Sequence, residues 1–161
     1  MVRERLEQVY QDHRQGLFSL ALAISRSVDL AEEAVQEAFV RLWRSRRQPS
    51  GDPVSYVFAA VRNAAIELAR RRRPTSAIRV SLFDGTEADP AASAIAAERQ
   101  QVVRDAVDRL PLRQRQAVVM RLYGGLSFQQ IAEVLDEPLQ TVASRYRRAL
   151  ERIKQAVEGK L

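Results

Sequence analysis

Gln140, Thr141, Ser144, Arg145, Arg147 and Arg148 fall within a short stretch near the C-terminus. Amides, hydroxyls and guanidiniums are the groups that hydrogen-bond base edges and phosphates, so a helix presenting them suits the major groove of duplex DNA. The local pattern supplies such a helix. Val142, Tyr146, Ala149 and Ile153 recur at three- and four-residue steps, which predicts a helix from about Leu139 with the polar set facing away from them. A shorter helix precedes it: Ser127 is placed as N-cap with Gln130 as its capping-box partner, and Ile131, Ala132 and Leu135 supply an apolar face. Asp136-Glu137-Pro138 breaks the pattern between the two, because proline disfavours helix at the residue before it. Two helices about a tight turn make a helix-turn-helix, although a solvated amphipathic hairpin shares the same apolar spacing.

Two further clusters carry chemistry. Glu33, Gln36 and Glu37 lie at i, i+3, i+4 spacing and form an acidic, amide-bearing face suited to a basic protein surface; an ordinary solvated face looks the same. Tyr56, Phe58, Arg62 and Asn63 bring rings, an amide and a charge together in one helix that ends in the run from Arg70 and Arg71 to Arg73. Unpaired bases are bound by stacking on rings, by amides at their edges and by basic groups on the backbone. Phe58 reads mainly as core, and four arginines at a helix C-terminus also suit the macrodipole.

Catalysis and metal binding find little support. There is no cysteine and a single histidine, His13, which lacks a nucleophile or carboxylate constellation and reads as a partly buried, aromatic-sized filler. A helical hydrolase built on Asp29, Glu32, Glu33 and Glu37 is disfavoured because no second acidic group or histidine converges on them. No metal, no cofactor and no enzymatic activity are expected. The net charge of +6, carried almost wholly by arginine with lysine only at Lys154 and Lys160, favours a polyanionic partner. No apolar run approaches a membrane span, so a soluble, cytoplasmic protein without direct membrane insertion is expected.

The elements that position these clusters are all helical. Leu6, Val9, Tyr10, His13, Leu17, Leu20, Ala21 and Ile24 predict a helix over about 3–26. Asp29 is placed to cap a second, with Glu32 as box partner and Ala31, Ala34, Val35, Ala38, Phe39 and Leu42 as its buried stripe. After the loop Pro49-Ser50-Gly51-Asp52-Pro53, a third runs from about Val54 to the arginines. Residues 74–96 are polar, acidic and aperiodic, and read as a flexible linker. Beyond it Val103, Ala106, Val107 and Leu110 predict one helix and Ala117, Val118 and Leu122 another, divided by Pro111 and closed by Gly124-Gly125. The expected fold class is all-α: two small helical domains, residues 1–73 and 97–161, joined by residues 74–96.

Three blocks together resemble the extracytoplasmic-function (ECF) sigma factors, the two-domain initiation subunits of bacterial RNA polymerase in the sigma-70 family. Residues 29–43 are similar to the acidic helix that binds the β′ coiled coil, residues 56–70 to the helix that melts and reads the −10 element, and residues 110–150 to the module that reads the −35 element. The resemblance implies domains corresponding to sigma regions 2 and 4. It implies core polymerase binding through Glu33, Gln36 and Glu37, and −10 DNA binding through Tyr56, Arg62, Asn63, Arg70 and Arg71. Binding of −35 DNA falls to Gln140, Thr141, Ser144, Arg145, Arg147 and Arg148. Implied partners are core RNA polymerase, through its β′ coiled coil and β subunit, promoter DNA, and an anti-sigma factor of the kind such proteins often have. The acidic linker is implied to thread into the polymerase's RNA path. The chain departs from the family pattern in having Tyr56 where tryptophan is frequent, a short loop before it, Asp136 and Gln140 where glycine is usual, and Ala143 where a basic residue is common. Asp136 suits a left-handed turn, and Gln140 adds an amide fit to read adenine. The competing reading is an autonomous dimeric helix-turn-helix regulator, which would bind paired half-sites without polymerase.

Overall fold

The computed structural model describes residues 2–45, 51–72 and 94–160. Pro49 and Ser50 of the expected loop, Arg73, and nearly all of the expected linker lie outside them. The described residues form helices α1 (Val2–Ser25), α2 (Val28–Arg44), α3 (Pro53–Arg71), α4 (Ala94–Asp108), α5 (Leu112–Leu122), α6 (Phe128–Leu135) and α7 (Leu139–Lys160), with no strand among them.

Local chemistry accounts for most boundaries. Asp52 caps α3 by accepting from the Ser55 N–H at 3.2 Å, and Pro53 fills the first turn, where its missing N–H costs nothing. Ser27, not Asp29, caps α2: its hydroxyl accepts from the Leu30 N–H at 3.3 Å, which puts Asp29 in the first turn beside the positive end of the helix dipole. Residues 94–96, placed in the linker on composition, begin α4. The α1 helix kinks at His13 (φ −125°, ψ 15°), whose half-buried ring meets Phe58 edge-on at 5.7 Å.

α1, α2 and α3 pack on one another, and α7 packs against α4, α5 and α6. These two groups do not stand apart. α5 lies on α1 and α6 on α3, and one continuous core holds Leu17, Leu20, Val57 and Phe58 together with Val118, Met120, Leu126 and Ile131. Each of these eight side chains is fully buried, an arrangement worth about 1.5–3 kcal/mol per large apolar side chain.

Candidate nucleic-acid and polymerase interfaces

The C-terminal interface is built by α5, α6 and α7. Ser127 and Gln130 form a reciprocal capping box at the start of α6, with the Gln130 N–H donating to Ser127 Oγ at 3.1 Å and the Ser127 N–H donating to Gln130 Oε1 at 2.9 Å. At the other end Asp136 adopts the left-handed conformation (φ 53°, ψ 51°) and its N–H donates to the last carbonyls of α6, which turns the chain into α7. Val142 and Ala149 are fully buried and Tyr146 packs edge-on against Phe128 at 5.2 Å, so the rotation of α7 is fixed. That rotation brings Gln140, Thr141, Ser144, Arg145 and Arg148 into one open cleft of about 380 Å³. Arg147 is exposed but lies outside the cleft.

Two features of the cleft were not legible in the sequence. Gln114, from the first turn of α5, lines it, and its Oε1 is buried without a hydrogen-bond partner. Glu137 accepts from both Arg113 and Arg145. The Glu137 and Arg145 side chains are only 12% and 19% exposed, so Arg145 is held by a carboxylate of its own domain. Nothing in the sequence pattern brings Gln114 and Arg113 of α5 beside α7 and the turn before it, whereas the Glu137–Arg145 pair lies within that turn and α7.

On α3, Tyr56, Asn63 and Arg70 recur every seven residues, and a straight helix drifts only about 20° per seven, so they line one face over about 21 Å. Asn63 and Arg70 are exposed and Tyr56 is half-buried. Arg71 pairs with Glu67. Arg62 points elsewhere: its Nε donates to Gln116 Oε1 of α5 at 2.6 Å, and burial first, then the nearby Arg113 charge, lower its pKa. The structure therefore brings Tyr56, Asn63 and Arg70 together and places Arg62 on the α5 side.

On α2, Gln36 is exposed, while Glu33 accepts from Arg72 at 2.6 Å and Glu37 from Arg41 at 2.5 Å; Arg41 also reaches Glu67 at 3.4 Å. The acidic face is thus tied to α3 by exposed pairs of small individual worth. Val40 and Trp43 continue the line of Gln36 at helical spacing and remain 46% and 44% exposed, with the Arg3 guanidinium 5.2 Å from the Trp43 ring centroid. These apolar groups extend the candidate protein-binding face, and their signal was present: neither fits the buried stripe of α2. No group of three or more potential metal ligands occurs among the described residues, and no described helix is long and apolar enough to cross a membrane.

Residues 9–75 match the family described as Sigma-70 region 2, and residues 100–153 match Sigma-70, region 4. Among curated proteins the chain is similar to the ECF RNA polymerase sigma factor SigK of Mycobacterium ulcerans (strain Agy99), 25% identical over 98% of this chain and 88% of the relative. It is 23% identical to SigK of Mycobacterium tuberculosis (strain ATCC 25177 / H37Ra), over 94% of this chain and 84% of that protein. Among solved structures, the sigma factor RpoE of Bartonella quintana, crystallised in complex with the anti-sigma factor NepR, has the same fold, with a TM-score of 0.71, 20% identity, and coverage of 97% of this chain and 96% of that one.

Proposed function

We propose a division of labour within this chain, which belongs to the ECF group of the sigma-70 family and is a sigma factor directing transcription initiation. Residues 1–73 bind core polymerase and engage the −10 element, and residues 97–161 engage the −35 element. The observation that carries this reading is the match of regions 2 and 4 to two chemically different faces: the Tyr56, Asn63, Arg70 line on α3 and the polar, basic cleft of α7.

Exposed Asn63 offers an amide to an extruded base, half-buried Tyr56 a ring to stack on it, and exposed Arg70 a charge for the backbone. Arg71 joins them on breaking its pair with Glu67, and Arg62 on leaving Gln116. In the cleft, Gln140 and Ser144 lie one turn apart and read base edges. Thr141, Arg147 and Arg148 hold the flanking phosphates, and Arg145 joins them on release from Glu137. Glu33, Gln36 and Glu37 meet a basic face of the polymerase, with Val40 and Trp43 supplying the apolar centre of that contact. The chain performs no catalytic step of its own, since bond formation belongs to the polymerase, and it works in the cytoplasm. An anti-sigma factor, as seen with the Bartonella relative, is the expected antagonist of these faces.

Transcription from a promoter library with purified core polymerase tests this. Runoff products that require both the chain and a common pair of upstream elements are expected. Sequence-specific duplex binding by the dimeric chain alone, with no transcription, would favour an autonomous regulator.

A further inference from the structure

Five of the side chains that line the cleft come from α7, and the sixth, Gln114, comes from α5. Gln114 lies in the first turn of α5, and helical side chains lean towards the N-terminus of their helix, which brings this amide into the company of Gln140 and Ser144. Its Oε1 is buried and accepts no hydrogen bond. Gln116, two positions on, shows the ordinary arrangement: it is 1% exposed and its Oε1 accepts from Arg62 at 2.6 Å.

Two other buried side-chain atoms among the described residues lack a partner, and neither opens on the cleft. Ser19 Oγ lies within α1, and Arg115 Nε belongs to a guanidinium whose two terminal nitrogens donate to the Ala23 and Leu110 carbonyls at 2.7 and 3.0 Å. A buried acceptor without a partner has lost its hydration and gained no bond, so Gln114 destabilises the protein where it stands. The donors around it do not relieve this. The Arg145 guanidinium is held by Glu137, and Arg148, in the same cleft, does not bond the amide oxygen. Swinging out of this position breaks no bond at that oxygen, and the unbranched glutamine stem has staggered alternatives to adopt.

We propose that Gln114 is a specificity-determining residue that swings into the major groove and reads one adenine of the −35 element. An amide carries an acceptor and a donor side by side, and few groups on duplex DNA answer both. Phosphate oxygens only accept. Guanine presents two acceptors, cytosine an amine donor, and thymine an acceptor beside a methyl group, whereas adenine sets the N6 amine next to the N7 acceptor. Adenine therefore satisfies Oε1 and Nε2 together, and ends the lack of a partner that the free protein shows. The −35 element is then read from two helices, by Gln140 and Ser144 of α7 and by Gln114 of α5. The proposal rests on the −35 assignment of the cleft made above.

Base analogues test it. In a promoter selected with the wild-type holoenzyme, each adenine of the −35 element is replaced in turn by purine, which lacks the N6 amine, and by 7-deazaadenine, which lacks N7. At one adenine both analogues should weaken holoenzyme binding about tenfold, and should do so still in Gln140→Ala. Gln114→Leu should be indifferent to the analogues at that adenine, respond as the wild type does at the others, and melt at or above the wild-type Tm, because the unpaired acceptor is gone. Gln114→Glu keeps the shape but carries acceptors only, so the preferred base at that position should change from adenine to cytosine. Analogue sensitivities in Gln114→Leu equal to the wild type at every adenine would overturn the assignment, as would an unchanged base preference in Gln114→Glu. Uniform weakening of every promoter by both variants would overturn it too, since that marks a phosphate contact or a structural role. A wild-type holoenzyme indifferent to the whole −35 sequence would instead refute the −35 assignment of the cleft, and this proposal with it.

Discussion

Glu137→Gln should make the protein less stable and its DNA binding more salt-sensitive, a pairing that few substitutions produce. Glu137 sits in the turn of the helix-turn-helix and accepts from Arg113 and Arg145. The Arg113 side chain is 64% exposed, so that pair contributes at most about 1 kcal/mol. The partner that matters is Arg145, which is 19% exposed against 12% for Glu137. Removing one member of a buried pair costs about 3–5 kcal/mol; residual exposure and the polar amide left in place reduce this to about 2 kcal/mol. For a chain of this length that lowers Tm by about 4–8 °C. The freed guanidinium stays beside Gln140 and Ser144 in the cleft, where one further phosphate contact steepens the slope of log K against log salt by about 0.9. Thermal unfolding and a salt series on a −35 duplex, bound as holoenzyme, read both effects. An unchanged Tm with an unchanged slope would show that Glu137 does not hold Arg145, and lower stability with a flatter slope would show that Arg145 holds phosphate despite the pair.

Other outcomes follow from the same geometry. Replacing Glu33, Gln36 and Glu37 together with alanine should weaken core-polymerase binding at least tenfold while lowering Tm by only a few degrees, since their pairs are exposed; undiminished pull-down by the folded variant would dismiss this face. Asn63→Ala should reduce permanganate reactivity of the −10 thymines without loss of polymerase binding, and unchanged reactivity would remove Asn63 from the reader. Gln140→Ala should relax discrimination at one or two −35 positions by about 1–3 kcal/mol, whereas Arg148→Ala should weaken all promoters alike; the reverse pattern would mean that α7 docks in another rotation. Burial pushes the Asp52 carboxyl up, but hydrogen bonds from Gln130 and from Ser55 and Val54 outweigh it and leave its pKa below the ordinary 3.8. The folded state then binds fewer protons than the unfolded, so the stability this group contributes is present above pH 3.8 and lost as pH falls through its lowered value. Asp52→Asn should flatten that acid limb in thermal melts, and an identical limb would show that other carboxylates govern it.

The helices were legible because their apolar spacing and caps are local. Ser127 with Gln130 and the left-handed Asp136 required nothing from the rest of the chain. Where two local signals competed, spacing alone misassigned the cap: Asp29 has the better box partner, but the left-handed Arg26 delivers Ser27 to the α2 N-terminus. The contents of the cleft were half legible. Gln140 and Ser144 follow from the helical period of α7, whereas Gln114 and the Arg113 arm of the Glu137 bridge depend on α5 packing beside α7 and its turn. The contact between the two halves was not legible at all. It joins the ends of helices far apart in sequence through backbone carbonyls, and a carbonyl leaves no mark on the residue that carries it.

Permanganate footprinting of an open complex tests the central claim most directly. Core polymerase, this chain and a supercoiled promoter selected from the library should yield reactive thymines at the −10 element, dependent on the chain, reduced by Asn63→Ala, and abolished by changing the −35 element proposed to be read by Gln140 and Ser144. Chain-dependent polymerase binding with no reactive thymines at any promoter would contradict it.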